Sequence, residues 1–199
     1  MQNLVAENIT KSFHGITVLE NVSYTFKAGS ITCIMGNSGI GKTTFLRILT
    51  GLEKPERGSV TGGGKPSVMF QEDRLIEQLN AIENVKLVLK HKNAAALAEE
   101  ELKQLLPKES LKKAVSQLSG GMRRRVALVR AMLAESDTVF LDEPFTGLDL
   151  ETMRQAVAYI KSRKGSKTLI LVTHDREVCE MLQAKICLLT SSKAVATIT

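Results

Sequence analysis

The stretch GNSGIGKTT, Gly36 to Thr44, constrains this chain more than any other. Gly36 to Thr43 matches GxxxxGK[ST], with the apolar run ITCIM before it and an amphipathic periodicity at Phe45, Ile48, Leu49 and Leu52 after it. A strand, a glycine-rich turn and a helix in that order form a phosphate-binding loop and predict a sheet covered by helices. Gly36, Gly39 and Gly41 let the backbone curl so that successive N–H groups converge on phosphate oxygens, where side chains would block the approach. Asn37, Ser38 and Ile40 complete the loop. The helix that opens through Lys42, Thr43 and Thr44 aims the equivalent of roughly half a positive charge at the same place. Lys42 supplies a mobile cation for the terminal phosphates of a nucleotide, and the Thr43 hydroxyl a ligand for Mg²⁺.

The flanking sequence extends this pattern. SVMF before Gln71, TVFL before Asp142, TLILV before Thr173 and ICLL before Thr190 are short continuous apolar runs, as parallel strands buried on both faces require. The first thirty or so residues alternate instead, as in ITVLENVSYTF, which suits antiparallel strands with one wet face. From Ile76 to about Gln117 the patterns are helical and predict an inserted helical segment, while Gly62 to Gly64 mark a turn. With 199 residues, 43% hydrophobic and 24% charged, the chain has the composition of one globular domain. No apolar run approaches the ~18 residues of a membrane helix, and Met1 to Thr10 lacks the features of a signal peptide, so a cytosolic protein is expected. Cys33, Cys179 and Cys187 have no metal-binding spacing and read as reduced packing residues. A net charge of +6 invites anionic partners without choosing among them. The basic runs at Arg123–Arg125 and Lys161–Lys167 lack interleaved aromatics and read as solvated helix faces and a charged loop.

Four further features bear on nucleotide chemistry. TVFLDEP ends a strand in two carboxylates, and Pro144 helps to stop the strand there. Asp142 can then enter a metal's shell, and Glu143 can orient a water in line with a γ-phosphate. His174 closes TLILVTH where a γ-phosphate contact would sit, and the Gln71 amide can reach a metal or a water; taken alone, either side chain is more often a structural residue. LSGGM, Leu118 to Met122, sets a second glycine pair at a helix start, and Ser119, Gly120 and Gly121 there offer N–H groups and a hydroxyl to another anion. His14 and His91 have no such placement and receive no role.

Together these residues resemble the nucleotide-binding subunit of ATP-binding-cassette (ABC) transporters, over nearly the whole chain and with the motifs in order. The resemblance makes Phe13 the aromatic that stacks on adenine, Gly36 to Thr43 the Walker A loop, Gln71 the Q-loop glutamine, Leu118 to Met122 the signature, Asp142 and Glu143 Walker B, Asp149 the D-loop aspartate and His174 the switch histidine. It implies a P-loop (RecA-like) α/β fold with a mainly parallel core sheet, an N-terminal antiparallel β subdomain and a helical subdomain, about residues 76–133, inserted within one domain spanning 1–199. It further implies ATP and Mg²⁺ as ligands, with Thr43, Gln71 and Asp142 on the metal and Glu143, His174 and Lys42 in catalysis. The implied partner is a second identical cassette, head to tail, whose γ-phosphate is covered by Ser119, Gly120 and Gly121. Transmembrane permease subunits, a substrate-binding protein acting indirectly, and a place on the cytoplasmic face of the membrane follow, with no nucleic acid. The segment FQEDRLIEQLNAIENV resembles importer ATPases for nitrate, sulfonates, taurine or thiamine-like compounds. Met122 stands where the family usually has glutamine, and Phe13 where tyrosine is commoner. Two alternatives are a soluble cassette that remodels ribosomes or nucleic acid, and a small-molecule P-loop kinase, which would have no use for LSGGM.

Overall fold

The computed structural model describes residues 2–90 and 92–190, with the backbone of 193–194; His91 lies outside the described residues. The chain divides into two compact units, one of Met1–Val68, Ser136–Glu143 and Ser166–Thr199, the other of Met69–Glu135 and Pro144–Gly165.

The first unit contains an antiparallel sheet in the order β2-β1-β4, built from β1 (Leu4–Phe13), β2 (Ile16–Phe26) and β4 (Arg57–Gly62). β1 and β2 form a hairpin closed by His14 and Gly15, both at positive φ (50° and 80°), as a two-residue turn between right-twisted strands requires. The core sheet runs in the order β5-β6-β7-β3-β8-β9: β5 (Pro66–Met69), β6 (Thr138–Asp142), β7 (Thr168–Val172), β3 (Ile31–Met35), β8 (Lys185–Thr190) and a short β9 (Lys193–Ala194). β6 and β8 flank the β7–β3 pair in parallel, whereas β9 is antiparallel to β8. Every residue of β6 and β7 is buried, which is why these strands read as unbroken apolar runs. Helix α1 (Lys42–Leu49) packs Phe45, Leu46, Ile48 and Leu49 into a core shared with Ile9 and Phe26 of the antiparallel sheet and Phe140, Ile170 and Leu189 of the other. Gly51, at φ +74°, ends that helix early, so Leu52 lies outside the apolar stripe and is 51% exposed. The three cysteines are free and buried, and burial pushes the Cys187 thiol up to about 12.

The second unit is helical, with α2 (Ala81–Lys86), α3 (Ala94–Leu102), α4 (Gly120–Leu133), α5 (Leu150–Lys164) and two short 3₁₀ turns. Asn80 opens α2 with a reciprocal cap, its side chain accepting from the Glu83 amide while the Glu83 carboxylate accepts from the Asn80 amide, each at 2.9 Å. Glu101 of α3, 1% exposed, accepts from the Tyr159 hydroxyl at 3.0 Å and pairs with Arg163 at 2.6 Å, tying α3 to α5 through a satisfied buried carboxylate. Helix α6 (Arg176–Met181) returns to the first unit, between β7 and β8.

Candidate active site

Strand β3 ends at Met35 and the chain turns through Gly36–Gly41 into α1, the strand–loop–helix order expected of GNSGIGKTT. The glycines serve different ends. A Cβ at Gly36, φ +150°, would sit 2.5 Å from the Leu189 carbonyl oxygen, and one at Gly41, φ +101°, 2.8 Å from Val18, so neighbouring strands forbid side chains at both. Gly39, φ +76°, has open space around it, and only its backbone conformation selects glycine. Asn37 and Ser38 are exposed within the loop, and the Ile40 amide donates to the Asn37 carbonyl at 3.4 Å. The Lys42 ammonium folds back over the loop and donates to the carbonyls of Gly36 (2.8 Å) and Asn37 (3.0 Å), which sets its charge where phosphate oxygens are expected. Thr44 is half-buried behind it.

Helix α1 also aims Thr43 at β6: its hydroxyl donates to Asp142 Oδ1 at 3.4 Å, although 99 residues separate the two. A hydroxyl beside a buried carboxylate is a pair of hard oxygen donors, which fits Mg²⁺ held jointly with phosphates. The parallel register sets Asp142 level with Val172, so Glu143 and His174 emerge together just beyond the ends of β6 and β7. The Glu143 amide donates to the Val172 carbonyl at 3.0 Å. Glu143 then takes φ +48°, a left-handed conformation that costs a non-glycine residue about 1–2 kcal/mol and turns the chain sharply at the strand end. His174 Nδ1 lies 3.3 Å and 3.2 Å from the two Glu143 carboxylate oxygens. The imidazole is 76% exposed and the carboxylate 20%, so water competes with the contact from the histidine side.

Phe13 stands at the hairpin end of β1, 41% exposed, with the Lys11 ammonium 5.0 Å from its ring centroid. The remaining expected residues belong to the second unit. Ser119 caps α4, its hydroxyl accepting from the Met122 amide at 3.3 Å, and Ser119 and Gly120 are exposed at the helix start. Gly121 lies close to Leu148, 3.2 Å from where a Cβ would stand. Asp149 caps α5 by accepting from the Thr152 amide (2.8 Å) and hydroxyl (2.9 Å), and these bonds hold its carboxyl below the usual range. The Gln71 side chain is exposed just after β5. The structure thus gathers Lys42, Thr43, Asp142, Glu143 and His174 within the first unit, and Gln71, Ser119, Gly120, Gly121 and Asp149 within the second.

One part of the basic run is not a solvated face. Arg124 is 5% exposed and not solvated; its Nη1 donates to the carbonyls of Phe70 (2.9 Å) and Gln71 (2.6 Å) and to Asp73 Oδ1 (3.2 Å). Arg125 is half-buried, donating to the Leu105 carbonyl and, at 3.1 Å, to that of Gly121. Helical spacing carried the missing signal, because Arg124 shares a face with Ala127, Leu128 and Ala131, all buried.

A strand–loop–helix phosphate cradle, with a lysine folded over it and a strand-end carboxylate behind its threonine, defines a P-loop nucleoside-triphosphate-binding protein. The comparisons narrow that class. The family described as ABC transporter matches residues 19–146, more than half of the chain. Among curated proteins, the chain is 40% identical over 191 residues to the aliphatic sulfonates import ATP-binding protein SsuB 1 of Rhodococcus jostii (strain RHA1), covering 89% of this chain and 75% of that one. It is 36% identical over 201 residues to the spermidine/putrescine import ATP-binding protein PotA of Spiroplasma citri, covering 92% and 57%. It is also 35% identical over 211 residues to the probable sulfate/thiosulfate import ATP-binding protein CysA of Chlorella vulgaris, covering 97% and 89%. The solved dimeric structure of the bacterial ABC transporter cassette MJ0796 superposes with a TM-score of 0.87 at 30% identity, over 96% of both chains. A dimeric post-hydrolysis state of that cassette, bound to ADP and Pi, gives 0.85 at 29% identity over the same shares. This chain belongs to the ABC transporter family, as its ATP-binding cassette.

Proposed function

We propose that the chain is the ATP-hydrolysing subunit of a bacterial importer and works as two identical copies set head to tail. The observation that carries this reading is that one chain holds two glycine-bearing helix starts of different kinds, each suited to an anion. One unit has the Lys42 loop with its Thr43–Asp142 and Glu143–His174 pairs, and the other has the start of a 14-residue helix with Ser119 and Gly120 exposed. One edge serves the chain's own nucleotide and the second serves a partner copy's, so two ATP molecules hold the pair closed. Closure is favoured only by the contacts that ATP makes in the closed state and loses on hydrolysis. Both units, with the helical insert at about 76–133, then act as one cassette domain over 1–199.

Within the site, the backbone N–H groups of Gly36–Thr44 bind the phosphates and Lys42 neutralises their terminal oxygens. Thr43 and Asp142 would hold Mg²⁺, with the Gln71 amide as a further oxygen donor, and the ion would offset charge on the phosphoryl group being transferred. Glu143 accepts a hydrogen bond from the attacking water and orients it in line with the γ-phosphate, and His174 moves from the carboxylate to the γ-phosphate oxygens. Phe13 stacks on adenine, and Asp149 faces the partner copy at the closed interface.

Import is supported by relatives whose names are those of import ATP-binding proteins. Their named cargoes include sulfonates and polyamines of opposite charge at similar identity, which supports cargo recognition by membrane and binding-protein partners rather than by the cassette. Among the described residues no helix is long and apolar enough to cross a membrane, and the proposed site of action is the cytoplasmic face, docked on separate transmembrane subunits. Phosphate release from ATP by the purified chain in Mg²⁺ buffer tests the reading. Lys42→Ala should reduce it at least about a hundredfold, and activity equal to the parent's would remove the phosphate loop from the mechanism.

A further inference from the structure

Helix α4 does more than present the serine–glycine edge. Beyond β5 the backbone of 70–74 is irregular, and its carbonyls need partners other than a strand ladder. Arginines of α4 supply them. The two N–H bonds of Arg124 Nη1 are shared among Phe70 O, Gln71 O and Asp73 Oδ1, at 2.9, 2.6 and 3.2 Å. Arg130, farther along the helix, donates to Asp73 O (3.0 Å) and Arg74 O (2.9 Å). Arg123 stands 3.8 Å from the other oxygen of the Asp73 carboxylate. The Arg74 guanidinium in turn lies 3.7 Å from the Phe70 ring centroid, closing the segment on itself. All of these groups belong to the second unit.

Arg123 and Arg130 are partly exposed, whereas Arg124 is buried and meets two successive carbonyls and a carboxylate. We propose that Arg124 is a positioning residue, fixing the backbone that presents Gln71 to the helix that presents Ser119 and Gly120, so that these two parts move as one piece. The consequence for turnover rests on the proposed ATPase reading: engagement of the serine–glycine edge by a partner's nucleotide would set the placement of the Gln71 amide at the same moment. A loosened Gln71 would impair the chemical step and leave the phosphate loop's own grip on ATP intact.

The test uses the full chain with a spin label at Glu72→Cys, whose parent side chain is 76% exposed, and a control label at the exposed Ala95→Cys on α3. The three native cysteines are buried. Arg124→Gln should shorten the rotational correlation time of the label at 72 by about twofold or more and leave the label at 95 unchanged. It should lower kcat about fivefold or more while KM for ATP stays within about twofold. Gln71→Ala alone should cost a similar factor, and in the Arg124→Gln background less than about twofold more, because both changes disable one device. Asp73→Asn loosens the same segment without altering the helix and should act in the same direction, which keeps the test valid if Arg124→Gln fails to fold. An unchanged label at 72, a loss carried by KM, or single effects that multiply would each overturn the proposal. If the parent chain shows no ATPase activity, the functional reading fails, yet the label still decides whether Arg124 holds the segment.

Discussion

Adding one methyl group at two glycines of the phosphate loop separates crowding from backbone preference. In Gly36→Ala the new Cβ would stand 2.5 Å from the Leu189 carbonyl oxygen and 3.0 Å from Ile40 Cγ2. The first contact is about 1 Å closer than non-bonded heavy atoms normally sit. The obstruction is backbone within β8, itself paired with β3 and β9, so it cannot swing aside as a side-chain tip would. Overpacking of this kind costs about 1–3 kcal/mol, and a positive φ at a non-glycine residue about 1–2 kcal/mol. A stiffer unfolded chain returns about 0.4–1 kcal/mol. The net expectation is a loss of about 1–4.5 kcal/mol, or a Tm lower by roughly 2–18 °C for a chain of this size. Gly39→Ala meets nothing within 4 Å and carries only the conformational part, offset by the unfolded-state gain, for a net of about 0–1.6 kcal/mol, smaller than at Gly36 by the whole overpacking cost. Calorimetry of the two variants beside the parent decides the matter. Equal shifts, or no shift for Gly36→Ala, would refute the argument that β8 dictates glycine at position 36.

Tyr159→Phe removes a 3.0 Å hydrogen bond to a buried carboxylate that keeps its 2.6 Å contact with Arg163, so urea unfolding should show a loss of about 1.5–2 kcal/mol with unchanged m. A change under about 0.5 kcal/mol would mean that the α3–α5 tie contributes little. Met122→Gln should alter the ATPase rate no more than about tenfold, because the Ser119 hydroxyl caps α4 by accepting from the backbone amide of residue 122 whichever side chain stands there. An inactive parent restored by that substitution would show that the side chain, not the backbone edge, dominates the signature.

The buried strands were legible because both faces of β6 and β7 are covered, which leaves an apolar run with no polar alternation. β4 escaped notice for the opposite reason. It is an edge strand of the antiparallel sheet, fully exposed except at Val60, and is held by backbone pairing to β1, which sequence does not display. The phosphate loop was legible as a local motif, yet the reason for two of its glycines was not. Val18 and Leu189 come from distant strands, and only the fold brings them against Gly41 and Gly36. In the same way, the strand-end acids were visible as residues, but the meeting of Glu143 with His174 depends on the β6–β7 register and on a positive φ at Glu143. Arg124 was misjudged because a charged run suggests a wet surface. Its acceptors are main-chain carbonyls, which leave no trace in residue identity.

The claim that two copies seal each other's nucleotide is tested most directly by the mass of Glu143→Gln in solution. Without nucleotide, light scattering should give the 21.8 kDa monomer. With saturating ATP and Mg²⁺ it should give twice that mass, and Ser119→Arg in the same background should return it to the monomer. A hydrolysis-blocked chain that binds ATP and stays monomeric, with transmembrane partners present as well as without them, would contradict the account.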